Sequence, residues 1–126
     1  MLYVEIYADN DGVSHFREAE LSFGRTADFA AEARPVGKSR FRDGQSGFLT
    51  VPVGWNSGWH QAPGDGFAIL IRGRVEIEVG DGELRQFSPG DVWRSTDVMG
   101  PGHISRNVGS EDAIVHMSVF GDAESD

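Results

Sequence analysis

Two histidines stand at the ends of glycine-rich approaches: His60 closes Gly54-Trp-Asn-Ser-Gly-Trp-His, and His103 follows Gly100-Pro-Gly. An imidazole titrates near neutrality, so two of them in one pocket can serve a bound molecule as base and acid. The same pair can offer two nitrogens to a divalent metal, with open positions left for substrate. They lie far apart in the chain, so only a closed barrel or sandwich of strands can bring them into one pocket.

Other side chains are candidates to work beside them. Asn56 precedes His60 by four positions and shares its strand face if no bulge intervenes. Asp65 and His116 are further candidates to complete a ligand set. Trp55, Trp59 and Trp93 are core or interface residues by default, or line a pocket mouth and stack on a flat substrate. Trp93 and Arg94 are consecutive, so only one of them points inward, and an inward Arg94 implies an anionic substrate group. His116 alternates with Ile114, Ser118 and Phe120 against Ala113, Val115, Met117 and Val119, and either set can face the interior. His15 lies outside both glycine-rich segments and reads as a surface or hydrogen-bonding residue.

The elements that must position these residues read as strands. Leu2, Val4 and Ile6 alternate with Tyr3, Glu5 and Tyr7; Asp9-Asn10-Asp11-Gly12 turns the chain; Ser14 to Leu21 completes an N-terminal hairpin. Thr26 to Arg34 is Ala-rich, and the pattern predicts a short helix capped by Thr26 and ended by Pro35. Gly37 to Gly47 reads as an exposed loop. Strands follow at Phe48 to Val53, Phe67 to Arg72 (apolar throughout, hence expected to be buried along its length) and Val75 to Val79, where Glu76 and Glu78 alternate outward. Leu84 to Phe87, Val92 to Ser95, Ile104 to Val108 and Ala113 to Phe120 complete the set. Short strands separated by Gly and Pro turns predict a sandwich, jelly roll or small barrel.

Composition narrows the function. The chain has 126 residues, a size that suits one domain. Its net charge of -9 argues against nucleic-acid and anionic-membrane partners. Cysteine is absent, which removes disulfides, thiolate nucleophiles and Cys-type zinc sites. No apolar run suits a membrane helix and no signal-peptide pattern opens the chain, so a cytoplasmic location is expected.

The two histidine segments resemble the two motifs of the cupin superfamily. Gly54, His60 and Gly73 fit the first; Pro89-Gly90-Asp91, Gly100, His103 and Asn107 fit the second. The second histidine position is Ala62 and the glutamate position is Gly66, while the Pro-Gly-Asp turn stands two residues further from Gly100 than usual. The resemblance spans Gly47 to Phe120. It implies an all-β fold, a double-stranded β-helix or jelly-roll barrel, with residues 1–46 as an N-terminal hairpin and loop extension and 47–120 as the barrel core of a single domain. The family holds iron, manganese, nickel or zinc on three histidines and a glutamate, of which only His60 and His103 are matched here. The resemblance therefore leaves no cofactor favoured, with a divalent metal on His60, His103 and a third ligand as the alternative.

Three functions follow as expectations. The leading one is a small-molecule enzyme of isomerase, cyclase or lyase type, with His60 and His103 as base and acid and Asn56, Trp59, Trp93, Arg94 and His116 binding substrate. The others are a metal-dependent dioxygenase and a non-catalytic binding protein. A homodimer is expected because the Leu2–Tyr7 strand would otherwise leave an open edge, and the missing ligands at Ala62 and Gly66 predict a roomy, mostly apolar cavity.

Overall fold

Alternating apolar residues and Gly-closed turns produce an all-β chain. The computed structural model describes residues 1–28 and 30–121. Its strands are β1 (Leu2–Ala8), β2 (Ser14–Glu20), β3 (Arg25–Ala27), β4 (Val36–Lys38), β5 (Gly44–Val51), β6 (Gly66–Arg72), β7 (Val75–Glu78), β8 (Leu84–Phe87), β9 (Val92–Ser95), β10 (Ile104–Asn107) and β11 (Ala113–Phe120). A large sheet runs β2-β1-β9-β6-β11-β5, and a smaller one runs β10-β7-β8. The core between them is built from Ile6, Phe16, Leu70, Val75, Ile77, Val79, Phe87, Trp93 and Val115, all buried. Among the described residues no helix is long and apolar enough to cross a membrane.

Three expectations need correction. No helix occupies Thr26 to Arg34 among the described residues, and Phe29 of that stretch lies outside them. Thr26 instead pairs across to Gly37 in the short β3–β4 ribbon. The four residues from Ala30 to Ala33 are too few to sustain a helix and make only a turn, closed by Ala33 N–H donating to the Ala30 carbonyl.

The β6 strand is not buried along its length. Ala68 and Leu70 face the core, whereas Ile69 and Ile71 are 36% and 48% exposed on the outer face of the large sheet. Phe67 is covered there by Tyr3 and Phe120, both in edge-on ring contact with it. On the smaller sheet the expected alternation is observed: Val75, Ile77 and Val79 are buried, while Glu76 and Glu78 turn outward to the Arg106 guanidinium.

The β1 strand is not an edge. It pairs antiparallel with β2 and parallel with β9, so Tyr3 and Glu5 are buried as well as Ile6. The edges of the large sheet are β2 and β5. The edge argument for a dimer therefore cannot rest on Leu2–Tyr7.

Candidate functional site

The segment between β5 and β6 runs beside β10 without becoming a regular strand. Two bridges tie it: Asn56 opposite Arg106, and His60 opposite His103. Four steps on one chain thus face three on the other, which is a one-residue bulge. Gly58 sits inside it at φ +66°, a backbone conformation that favours glycine. The Ser57 hydroxyl repairs the ladder by accepting the Ser105 N–H at 2.9 Å.

That slip decides which side chains point inward. His60 and His103 share the inner face, because their backbones exchange two hydrogen bonds of 3.0 and 2.9 Å as direct opposites. Asn56 lies on the other side of the bulge and turns out, where its side-chain oxygen accepts the Gly58 N–H. Trp55 takes the inward place and stands at the cavity mouth, 41% exposed. Trp59, next to His60, projects outward.

The cavity measures about 150 Å³. His60, His103, Trp55, Trp93, Ser95 and Ser105 line it, with Val51, Ala68, Val115 and Met117 completing an apolar wall. Ala62 and Gly66, from which a roomy, mostly apolar cavity was expected, both line it, and at Gly66 a side chain would run into the Ser118 carbonyl of the neighbouring strand.

The imidazole rings are 4.5 Å apart between centroids. His103 is buried, and its Nδ1 lies 2.5 Å from Oδ2 of Asp97, a residue with no exposed surface. His60 places its Nδ1 3.2 Å from the Gly58 carbonyl. With each Nδ1 engaged on an acceptor, each ring has Nε2 left for the cavity. Gly102 makes the approach possible: it sits at φ +81°, and a Cβ there would strike the His60 carbonyl. Ser14 fixes the same turn from the other side, its hydroxyl donating to the Gly102 carbonyl at 2.7 Å and accepting the Gly80 N–H at 2.7 Å.

Asp97 went unnoticed in the sequence. It lies in the Thr96–Gly100 connection, the very stretch that is two residues longer than the second motif usually has. That extra length was the available signal.

Of the remaining candidates, Trp93 lines the cavity and the others do not. Trp93 is the inward member of its pair, opposite Ala68; Arg94 faces outward, opposite Phe67. Arg94 binds Asp65 through Nε at 2.7 Å and Nη2 at 2.5 Å, and Arg42 reaches the same carboxylate at 3.2 Å. Burial pushes the Asp65 carboxyl up, but these two guanidiniums outweigh it and hold it below the ordinary carboxylate range. Arg94, expected to imply an anionic substrate group if it pointed inward, therefore makes no such demand on the cavity. His116 is also on the outer face, edge-on to Phe48.

A metal of the family's kind does not fit these residues. Asn56, Asp65 and His116, the candidates for a third ligand, all point away from the cavity. Among the described residues no group of three or more His, Cys, Asp or Glu side chains is placed to hold an ion.

Comparison with known proteins gives limited likeness. No family model and no curated protein matches the chain. Among solved structures, a cupin domain from Bordetella pertussis aligns at 18% identity over 61% of this chain and 80% of its own, with a TM-score of 0.49. A cupin domain of a transcriptional regulator from Enterobacter cloacae aligns at 24% identity over 61% and 79%, with a TM-score of 0.43. A putative ethanolamine utilization protein from Salmonella typhimurium aligns at 13% identity over 97% and 98%, with a TM-score of 0.41. Likeness at these identities concerns the fold alone, and the strand order itself shows the expected all-β class, built as two main sheets.

Proposed function

We propose that the protein is a small cytoplasmic enzyme that moves a proton on a neutral organic molecule about the size of one ring, without a metal. The observation that carries this is the orientation of the two imidazoles: each has its Nδ1 on a protein acceptor, so both Nε2 atoms serve one cavity. Both Nδ1 atoms donate, so in the neutral rings both Nε2 atoms are acceptors. One takes a proton from carbon or oxygen, becomes an imidazolium and returns that proton at another atom of the same molecule, which suits isomerisation, cyclisation or elimination.

Size and polarity support the substrate class. An engineered protein cavity of about 150 Å³ holds benzene, and the present cavity has the same volume. Trp55 and Trp93 offer flat faces, and Ser95 and Ser105 offer hydroxyls. Arg106 lines the cavity but commits its guanidinium to Glu78 and Glu76, and the hydrogen bond to Glu78 is the chief cause of its raised pKa.

The test is hydrogen–deuterium exchange in D2O with cyclohexanone and cyclohex-2-enone, read by mass spectrometry. The parent should accelerate exchange, and His60→Ala and His103→Ala should fall about 10²–10⁴-fold. Probe binding without exchange in the parent would leave a binding protein and sink the enzymatic reading. One equivalent of iron, nickel, manganese or zinc in the purified parent, lost in His60→Ala, would contradict its metal-independent form.

A further inference from the structure

We infer that Asp97 is a positioning residue that fixes the tautomer of His103, and that this choice makes the cavity-facing nitrogen a proton acceptor. The inference rests on the acid/base reading of the barrel pair and assigns a residue to its control.

The connection from Thr96 to Gly102 is pinned at several points. The Asp97 carbonyl accepts the Ala62 N–H at 3.2 Å, beside the His60 segment. The Thr96 N–H donates to the Ile6 carbonyl, and its hydroxyl lies within reach of Glu5. Asp97 is therefore delivered to His103 by backbone that cannot easily retreat. Its Oδ2 meets Nδ1 at 2.5 Å, while no protein group among the described residues reaches Oδ1, which is fully enclosed. An ionised carboxylate only accepts hydrogen bonds. The proton of a neutral His103 then belongs on Nδ1, and Nε2 keeps its lone pair for the substrate.

The orphaned Oδ1 makes an asparagine informative. In Asp97→Asn, an amide NH2 at that place would be buried without an acceptor. Turned the other way it donates to Nδ1, which satisfies it and moves the imidazole proton to Nε2. The ring would then face the cavity as a donor.

The experiment is long-range 1H–15N correlation on the full chain labelled with 15N-histidine, at a pH where His103 is neutral. The parent should show the Nδ1–H tautomer and Asp97→Asn the Nε2–H tautomer. Exchange into cyclohexanone should fall about 10²–10⁴-fold in the variant, the scale of misorienting a catalytic imidazole. An Nε2–H tautomer in the parent overturns the inference, and needs no variant to fold. So does an Nδ1–H tautomer that persists in a folded Asp97→Asn. If the tautomers behave as stated but neither protein exchanges probe protons, Asp97 still positions the ring and the acid/base reading fails.

Discussion

Two histidine–carboxylate groups in this molecule use the same chemistry to opposite ends. On the surface, His15 is held from both sides: Nε2 lies 2.7 Å from Asp9 and Nδ1 2.8 Å from Asp81. Hydrogen bonds that the ring donates to Asp9 first and Asp81 next raise its pKa and favour the form in which both nitrogens donate. It has no lone pair to spend and clasps the β1–β2 turn to the β7–β8 turn. In the barrel, His103 gives one nitrogen to Asp97 and keeps the other, and the carboxylate is sealed from solvent. One partner leaves a ring nitrogen for the cavity; two partners leave none. A histidine beside an acid is thus read by its second nitrogen.

The contrast can be broken most severely at Gly102. Gly102→Ala forces a side chain against the His60 carbonyl from a backbone at φ +81°, and should cost about 4 kcal/mol or more in denaturant unfolding. If it folds, the His60–His103 backbone pair should be open. A wild-type midpoint would mean that the two segments are not held as closely as described.

Asp97→Ala comes next. It leaves the buried Nδ1–H of His103 without an acceptor, an expected loss of about 3 kcal/mol by chemical unfolding. Ser14→Ala sharpens the link between the regions, because its hydroxyl ties Gly102 to Gly80; a loss of about 1–2 kcal/mol is expected.

The smallest effect belongs to the clasp and depends on pH. The His15 pKa is raised, so its contribution is full below about pH 6.5 and is lost as pH rises through the folded-state value. The Asp9 pKa is lowered chiefly by His15, and that of Asp81 chiefly by the Glu83 N–H and then by His15. Their contributions are present above about pH 3.9 and fade as pH falls through the folded-state values. His15→Gln should therefore lower the melting temperature mainly between those limits, with the difference shrinking at alkaline pH. A difference that grows with pH would contradict the clasp.

Much of the fold was legible because its signals are local. Val75 to Val79 alternates as its burial does, and Asp9 to Gly12 carries its own turn chemistry. The parallel pairing of β1 with β9 left no local trace: Tyr3 and Glu5 look like an exposed face until Trp93 and Arg94 arrive from the far end of the chain. That His60 and His103 would share one cavity was legible from their two glycine-rich segments. Asn56 faces out because one extra residue around Gly58 reverses the faces and puts Trp55 inward instead, whereas Trp59 faces out simply because it alternates with the inward His60. For His116 alternation gave two faces, and only pairing with Phe48 and Ile69 showed that it points outward. Asp97 depended on a connection folding over it, which no periodicity announces.

The central claim is that the barrel pair, and neither outer histidine, meets the ligand. It is tested most directly by following the ring nitrogens of His15, His60, His103 and His116 by NMR during titration with cyclohexanone. The account predicts saturable shifts at His60 and His103 together, with His15 and His116 unmoved. Shifts at His116 or His15 while the barrel pair stays silent would place the ligand outside the cavity and contradict it.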